Sequence, residues 1–392
     1  MLLSLAIIFT VGLLFGYVFE KLKLPDLLGM LLAGILIGPY VLNLLDPSIL
    51  LISSDLRQIA LIIILIRAGL NLDIEDLKKV GRPALLMCFV PACFEIVGMI
   101  LLAPKFLGVT ILEAAILGSV IAAVSPAVVV PRMLKLMDEG YGTKQSIPSL
   151  IMAGASVDDV FVIVVFSAFV NMEKGGLVSF SNFLTIPVSI GLGLLVGGII
   201  GYITVWFFKK NHIKDTIKII IVLSISFLLV SLEKSLSGII GFSGLLSVMA
   251  LGSSIQQKHP ELSIRLSSKF SKLWTAASIL LFVLVGASVN IVYAEKTGLV
   301  AVALILLVLV FRVAGVFVCL IKTKLNKKER LFSAMAYIPK ATVQAAIGGI
   351  PLAMGLACGD IVLSVAVISI LVSAPIGAIL IDSTYKRLLE KA

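Results

Sequence analysis

Apolar stretches recur along the whole chain at a length that suits a membrane-crossing helix. Such a helix needs about 17–25 predominantly apolar residues to span the hydrocarbon core of a bilayer. The alternation over about ten residues that is typical of a membrane-spanning strand is not visible. The pattern therefore predicts an all-α polytopic membrane protein with about thirteen transmembrane helices. The predicted spans cover residues 2–20, 27–44, 57–72, 83–104, 111–131, 147–170, 181–208, 217–233, 236–256, 273–293, 298–320, 331–357 and 361–382.

The composition agrees with this interpretation. Of the 392 residues, 60% are hydrophobic and 14% are charged, which leaves too little polar surface for a soluble domain of this length. The longest predicted connections, around 132–146 and 257–272, are too short to fold alone, so we expect a single membrane domain over 1–392. The first apolar stretch has no basic leader and no small-residue cleavage site, which predicts an uncleaved first helix.

The net charge of +10 raises the question of nucleic-acid binding, but the distribution of the charge argues against it. Of the 32 basic residues, 24 fall in alternate predicted loops and the C-terminal tail, and 5 fall in the intervening loops. This alternation follows the positive-inside rule. It predicts a multi-pass protein of the plasma (inner) membrane with the N-terminus outside and the C-terminus in the cytoplasm. The expected partners of the basic loops are the anionic lipids of the inner leaflet, with no nucleic acid.

Two adjacent carboxylates, Asp158 and Asp159, lie within the apolar stretch "AGASVDDVFVIVVF" at 153–166. One charged carboxylate at the centre of a membrane helix costs about 2.5–3.5 kcal/mol even on the translocon scale. Neighbours on a helix point about 100° apart, so one basic residue cannot easily neutralise both. Two carboxylates in a low-dielectric site are also difficult to ionise together. The pair therefore indicates a site that exchanges protons with a cation.

Two predicted spans contain residues that interrupt a helix. The stretch "GSVIAAVSPAVVVPRML" has Pro126 at mid-span, preceded by Ser125, and "YIPKATVQAAIGGIPLAMG" combines Pro339 with Lys340 and two glycines. Proline removes a backbone donor and breaks the helix. Non-helical backbone at membrane depth persists only where it is buried in protein or lines water, so both breaks indicate a functional cavity. We expect Lys340 to offset the dipoles of the half-helices that meet there.

The spacing of buried charges relates the two interrupted spans to each other. Glu95 precedes Ser125 by 30 residues, and Arg312 precedes Thr342 by the same number. Each interrupted span belongs to a set of three spans, the fourth to sixth in one case and the eleventh to thirteenth in the other. The two sets lie seven spans apart, and because this number is odd, they have opposite orientations in the membrane. Interrupted helices at corresponding positions of inverted halves are typical of the midplane site of a transporter.

Three motifs at these positions, "AAVSPAVVVPRML", "LIMAGASVDDV" and "PKATVQAAIGG", resemble the monovalent cation:proton antiporters. The closest resemblance is to the branch of the antiporter-2 group that contains the animal sodium/hydrogen exchanger-like proteins, and it covers nearly the whole chain. It implies the sodium/proton antiporter fold, with inverted repeats, a homodimer and two crossed broken helices beside the aspartates. We expect an ion-translocating core over about 83–170 and 298–382, and dimerisation or scaffold helices over about 1–72 and 181–293.

The resemblance also implies roles for individual residues. Asp159 would be the principal cation carboxylate, with Asp158 as its partner, and Glu95 and Arg312 would form a buried ion pair. Many relatives carry aspartate where this chain has Ser125, so that carboxylate is not a ligand here. Well-studied bacterial members carry lysine at the position of Arg312. Because an arginine does not release its proton, the two-proton stoichiometry of those relatives is not carried over.

We therefore expect an antiporter that exchanges Na⁺ or Li⁺ for H⁺ by alternating access and contributes to pH homeostasis, not an enzyme, and with no cofactor. Hard oxygen ligands suit a hard cation. The candidate cation and proton ligands are Asp159, Asp158, Ser125, Ser156 and backbone carbonyls at the break, and the broken-helix elements are Pro126, Lys340, Thr342 and Gln344. A K⁺/H⁺ antiporter and a sodium-coupled symporter of a small organic substrate remain alternatives. An ion channel is disfavoured because no filter-like motif occurs.

Overall fold

The computed structural model describes residues 1–72, 81–175, 180–211, 213–236 and 241–391, except for the side chains of 156, 160, 174–175, 180–187, 234 and 292–297. In this part of the chain every regular secondary-structure element is an α-helix. The first nine helices are α1 (Leu2–Lys21), α2 (Asp26–Ile37), α3 (Pro47–Leu51), α4 (Ser53–Asn71), α5 (Arg82–Met87), α6 (Val90–Leu107), α7 (Ile111–Ile121), α8 (Pro126–Asp138) and α9 (Ile147–Gly175). The others are α10 (Phe180–Lys210), α11 (Asp215–Leu236), α12 (Gly244–Lys258), α13 (Pro260–Ala287), α14 (Ile291–Cys319), α15 (Lys327–Ala336), α16 (Thr342–Ile347), α17 (Ile350–Ala353) and α18 (Gly359–Leu388).

Helical segments occur at each predicted span. Within the described residues, nine helices or helix pairs are long and apolar enough to cross a membrane, and two shorter apolar helices lie at Asp26–Ile37 and Thr342–Ala353. The all-helical membrane architecture is therefore confirmed, whereas the exact number of thirteen crossings stays a prediction.

The connection predicted around 257–272 is wrong. α13 begins at Pro260 and includes most of that segment. Proline suits the first turn of a helix, because its missing N–H would have no intrahelical partner there. Arg265, Lys269 and Lys272 therefore lie on α13, whereas Lys258 is the last residue of α12. Hydropathy alone gave no signal of helical structure in this segment.

The chain divides into two compact units. The first comprises Met1–Arg57, Asp76–Phe169 and Ile279–Ala392, and the second comprises Gln58–Glu75 and Val170–Ser278. Both ranges of the predicted ion-translocating core fall in the first unit except for residue 170. The division into a mobile core and dimerisation helices stays a prediction.

In the first unit, small residues bring α6 and α14 into close contact. A Cβ added at Gly98 would lie 2.7 Å from Cγ of Phe311, and one added at Gly315 would lie 2.8 Å from Cα of Pro91. Close approach through small residues is the usual means of helix packing in membranes. It sets Glu95 of α6 opposite Arg312 of α14.

In the second unit, α10 packs on α12 in the same way. The hydroxyl of Ser247 donates to the carbonyl of Gly193 at 3.0 Å, and a Cβ at Gly197 would lie 2.7 Å from Cα of Ser247. Gly193 and Gly197 of the segment 191–198 therefore serve helix packing. At the start of α11, Asp215 forms an ion pair with Arg265 of α13, whose Nε lies 3.0 Å from Oδ2 of the aspartate.

Candidate functional site

The two interrupted spans contact each other at their interruptions, which we call the first break (residues 122–125) and the second break (residues 337–341). α7 ends at Ile121, and α8 begins with Pro126 as its first residue. The backbone N–H of Ser125 donates to the carbonyl of Pro339 at 2.8 Å. The second break is also anchored to α18, since the N–H of Lys340 donates to the Ser373 hydroxyl at 3.1 Å.

Three carbonyls at the end of α7 accept hydrogen bonds from side chains. Lys340 Nζ donates to the carbonyl of Ile121 at 2.6 Å, and Arg312 Nη1 donates to that of Ala122. Gln344 Nε2 donates to Ile121 and Ala123 at 3.2 and 2.9 Å. These are the carbonyls that lose helical donors at the break, and cations at a helix C-terminus are favourable.

This arrangement has a direct cause in the sequence. In a continuous helix, the carbonyl of Ala122 would accept from the N–H of residue 126, which is a proline and has none. The guanidinium of Arg312 supplies the missing donor. The carbonyls of 121–123 thus each accept at least one side-chain hydrogen bond, and their service as cation ligands stays a prediction.

Four buried side chains form a row of alternating charge: Lys340, Glu95, Arg312 and Asp158. Lys340 Nζ lies 2.7 Å from Glu95 Oε1, Arg312 Nη1 lies 2.8 Å from Glu95 Oε2, and Arg312 Nη2 lies 2.9 Å from Asp158 Oδ2. Each of the four side chains is at most 1% exposed. Each inner member therefore contacts two opposite charges, which offsets part of the desolvation cost of burial.

Tyr337 holds the guanidinium from the second break. Its carbonyl accepts from Arg312 Nε at 2.6 Å, and its ring centroid lies 5.4 Å from Cζ of Arg312. The tyrosine is fully buried, and its ring hydroxyl leaves no room for a side chain at Gly154, one turn before the aspartates on α9. Tyr337 was not among the residues predicted from the sequence. It lies two residues before Pro339, so its position at a helix break could have identified it.

The adjacent aspartates have different surroundings. Asp158 Oδ2 accepts from both Arg312 and the N–H of Val124, the latter at 2.9 Å, whereas its Oδ1 has no partner. Asp159 is 8% exposed, its Oδ1 is buried without a partner, and it has no ion pair among the described residues. Asp158 is therefore fixed in place, while Asp159 has a carboxylate that can accept a ligand.

Other polar atoms lie buried at the breaks. The Ser125 hydroxyl, the Thr342 hydroxyl and Gln344 Oε1 have no hydrogen-bond partner among the described residues. Pro126 sits at the first position of α8 and defines the break. Ser156 belongs to α9, but its side chain lies outside the described part of the structure.

Arg57 is another buried cation, which was not among the candidate residues predicted from the sequence. It lies one turn after Ser53, the first residue of α4, and is 6% exposed. Its Nε donates to the carbonyl of Ser53 at 3.2 Å, and its guanidinium lies directly against Gly349. The absence of a side chain at Gly349 makes room for the arginine inside the protein.

The chain is similar to known proteins in sequence and in fold. The sequence profile described as "Sodium/hydrogen exchanger, transmembrane" matches residues 5–386. Sodium/hydrogen exchanger 9B2 of Homo sapiens is 35% identical over 384 residues, which cover 94% of this chain and 70% of the relative. Sodium/hydrogen exchanger 9B1 of Homo sapiens is 32% identical over 414 residues, which cover 100% of this chain and 78% of the relative.

The fold is similar to that of the sodium proton antiporter MjNhaP1 from Methanocaldococcus jannaschii at pH 8. The two structures align with a TM-score of 0.85 over 98% of this chain and 97% of that chain. Their sequences are 20% identical, so this likeness concerns the fold alone.

Proposed function

Because the chain belongs to the sodium/hydrogen exchanger family and is a cation/proton antiporter, we propose that it exchanges Na⁺ or Li⁺ for H⁺ by alternating access. Asp159 is the carboxylate that the proton and the cation occupy in turn, and Asp158 is its fixed partner. Because both ions compete for the same oxygens, their movements are coupled. The protein does not change its access from one side to the other while the site is empty and charged.

One observation carries this assignment. Among the buried carboxylates of the described residues, Glu95 and Asp158 are ion-paired and Glu329 caps α15, but Asp159 has neither kind of partner. A buried, unpaired carboxylate is costly in a membrane and marks an ion pathway. Binding of a proton or an alkali cation removes that cost.

The charge balance of the cluster supports an exchange of one cation for one proton. With each group in its ordinary ionised form, Lys340 and Arg312 neutralise Glu95 and Asp158, and Asp159 leaves a net charge of −1. A single proton or a single monovalent cation brings the site to neutrality. Because Arg312 does not release its proton, it adds no second proton to the cycle. With Lys340 also keeping its proton through the cycle, the exchange is electroneutral.

The cation ligands in this proposal come from α9 and the first break. Asp159 Oδ1, Asp158 Oδ1 and the Ser125 hydroxyl are buried and have no hydrogen-bond partner in the part of the chain that the structure describes. Such oxygens suit a hard cation. We include Ser156 as a further ligand because it precedes Asp159 by three residues and so shares its face of the helix.

We also propose the cellular setting that the sequence predicts: a homodimer in the plasma (inner) membrane that serves pH homeostasis. The distribution of basic residues supports a cytoplasmic C-terminus and contact with anionic inner-leaflet lipids.

The test is exchange in proteoliposomes. Purified protein is reconstituted, a pH gradient is imposed, and Na⁺, Li⁺ or K⁺ is added in turn while lumenal pH is recorded. Each trace is repeated with the membrane potential clamped. We expect Na⁺ and Li⁺ to drive proton movement at a rate that the clamp does not change.

Other outcomes would contradict specific parts of the proposal. A response to K⁺ alone would replace the proposed cation, and a rate that depends on the potential would overturn the one-for-one stoichiometry. Sodium flux that requires an organic substrate and no proton gradient would favour a symporter. The Asp159→Asn variant provides the control for proton leak.

A further inference from the structure

Gln344 lies in α16, which follows the second break, and one end of its side-chain amide contacts the first break. Both partners of this end, Ile121 and Ala123, offer carbonyl oxygens, which only accept hydrogen bonds. The end that faces them is therefore the Nε2 donor. The side chain is 1% exposed, so the contact is shielded from water.

The carbonyl of Ala123 and the N–H of Val124 belong to the same peptide group. Gln344 holds the oxygen of this group at 2.9 Å, and the N–H of the same group donates to Asp158 Oδ2 at 2.9 Å. A peptide group is planar and rigid, so fixing its oxygen fixes the direction of its N–H. Donation to the oxygen also polarises the group and strengthens the bond from its N–H.

We propose that Gln344 is a positioning residue of the transport site: by holding the Ala123–Val124 peptide group, it orients Asp158 beside Asp159. The inference rests on the proposed function and deepens it, because it assigns to the second broken helix a role in the geometry of the carboxylate pair. The cationic neighbours do not replace this contact, since Lys340 binds Ile121 and Arg312 binds Ala122.

Gln344→Met tests the donor, because it keeps the length of the side chain and removes the amide. We expect the KM for Na⁺ to rise about tenfold, equivalent to about 1.4 kcal/mol, with a maximal rate within roughly twofold of wild type. Gln257→Met is the matched control, since Gln257 is a helical glutamine whose amide bonds within its own helix to Ser253. The control should leave both parameters unchanged.

Gln344→Glu separates a donor from a cation ligand. The charged groups that contact the same break are Lys340 and Arg312, through the carbonyls of Ile121 and Ala122, and Asp158, through the N–H of Val124. Glu95 pairs with both cations. A protonated carboxyl at 344 still donates one hydrogen bond, whereas an ionised one repels the carbonyls. At each pH the KM is compared with that of wild type. We expect a ratio near one at acidic pH and a raised ratio at alkaline pH, whereas the ratio for Gln344→Met should not change with pH.

The outcomes separate failure of this inference from failure of the proposed function. If wild type shows no cation-driven proton movement, or Asp159→Asn retains it, the proposed function fails. If both controls behave as expected but Gln344→Met keeps the wild-type KM, Gln344 only fills space and the inference is overturned. If Gln344→Glu lowers the KM for Na⁺ at alkaline pH, the side chain is a cation ligand and the positioning role is likewise overturned. Rates are compared per folded protein, measured by gel filtration before reconstitution.

Discussion

Arg312 and Asp158 lie 154 residues apart in the chain and form a fully buried ion pair, with Nη2 2.9 Å from Oδ2. The next residue, Asp159, has no such partner among the described residues. Neighbours on a helix point about 100° apart, so only one of the two carboxylates faces α14. Two chemically identical side chains thus have different surroundings, and substitutions at the two positions should have different consequences.

Asp159→Asn should abolish cation-driven proton movement and leave the protein folded. The substitution removes the titrating group and the unpaired buried charge together, so the melting temperature should stay at the wild-type value or rise. Proteoliposome exchange and a thermal-shift assay in detergent measure the two effects. Exchange near the wild-type rate in this variant would refute the proposed mechanism.

Asp158→Asn should lower stability as well as exchange. Removal of its charge leaves Arg312 with Glu95 as its only carboxylate, and breaking a buried pair costs about 3–5 kcal/mol. We expect a melting temperature clearly below that of Asp159→Asn, which serves as the isosteric control. Equal melting temperatures of the two variants would show that the pair with Arg312 contributes nothing to stability.

Glu95 contacts two cations. Its coupling is best measured through Lys340, which pairs with no other carboxylate among the residues that the structure describes. Glu95→Gln should destabilise more than Lys340→Met, because it leaves both Lys340 and Arg312 with less compensation. The double variant should recover part of the loss. A thermodynamic cycle by chemical denaturation gives the coupling energy. A value below about 0.5 kcal/mol, the additivity error of independent sites, would rule out the interaction.

Much of this site could be predicted because its signals are local. Prolines mark helix breaks, and a charge in a long apolar stretch is conspicuous, so the two breaks, the aspartates, Glu95 and Arg312 were all identified from the sequence. Inverted symmetry then indicated that they lie together. These inferences need only helix geometry and the cost of burying charge.

The pairing of these groups could not be predicted in the same way. Lys340 and Glu95 lie 245 residues apart, and their contact depends on how closely α6, α7 and the second break pack. Packing also decides which of the three side chains donates a hydrogen bond to which carbonyl of 121–123. The burial of Arg57 was not predicted either, because an arginine near a helix end is ordinarily solvated and the space beside Gly349 is a result of packing.

Surface labelling tests the orientation. In a cysteine-free background, Lys328→Cys should react with a membrane-impermeant maleimide only from the cytoplasmic side. Lys105→Cys should react only from outside. The positive-inside distribution predicts this result, since position 328 belongs to a predicted connection rich in basic residues and position 105 to a predicted connection poor in them. The reverse pattern at both positions would invert the orientation, and labelling of both from the same side would overturn the alternation of spans between them.

The last prediction concerns the fit of Tyr337 against α9. A Cβ at Gly154 would overlap the Tyr337 hydroxyl, and Tyr337 in turn holds Arg312. Gly154→Ala should therefore displace the tyrosine and lower both the melting temperature and the exchange rate, because overpacking of a tight core costs about 1–3 kcal/mol.

Gly191→Ala is the matched control: it lies in α10 with no atom within 4 Å of the added Cβ. Since alanine favours a helix by up to about 1 kcal/mol over glycine, that variant should be neutral or slightly stabilised. If the two variants melt at the same temperature, Tyr337 has room to move and does not fix Arg312. If Gly154→Ala loses stability and the additional substitution Tyr337→Phe restores it, the lost space at the ring hydroxyl is the cause.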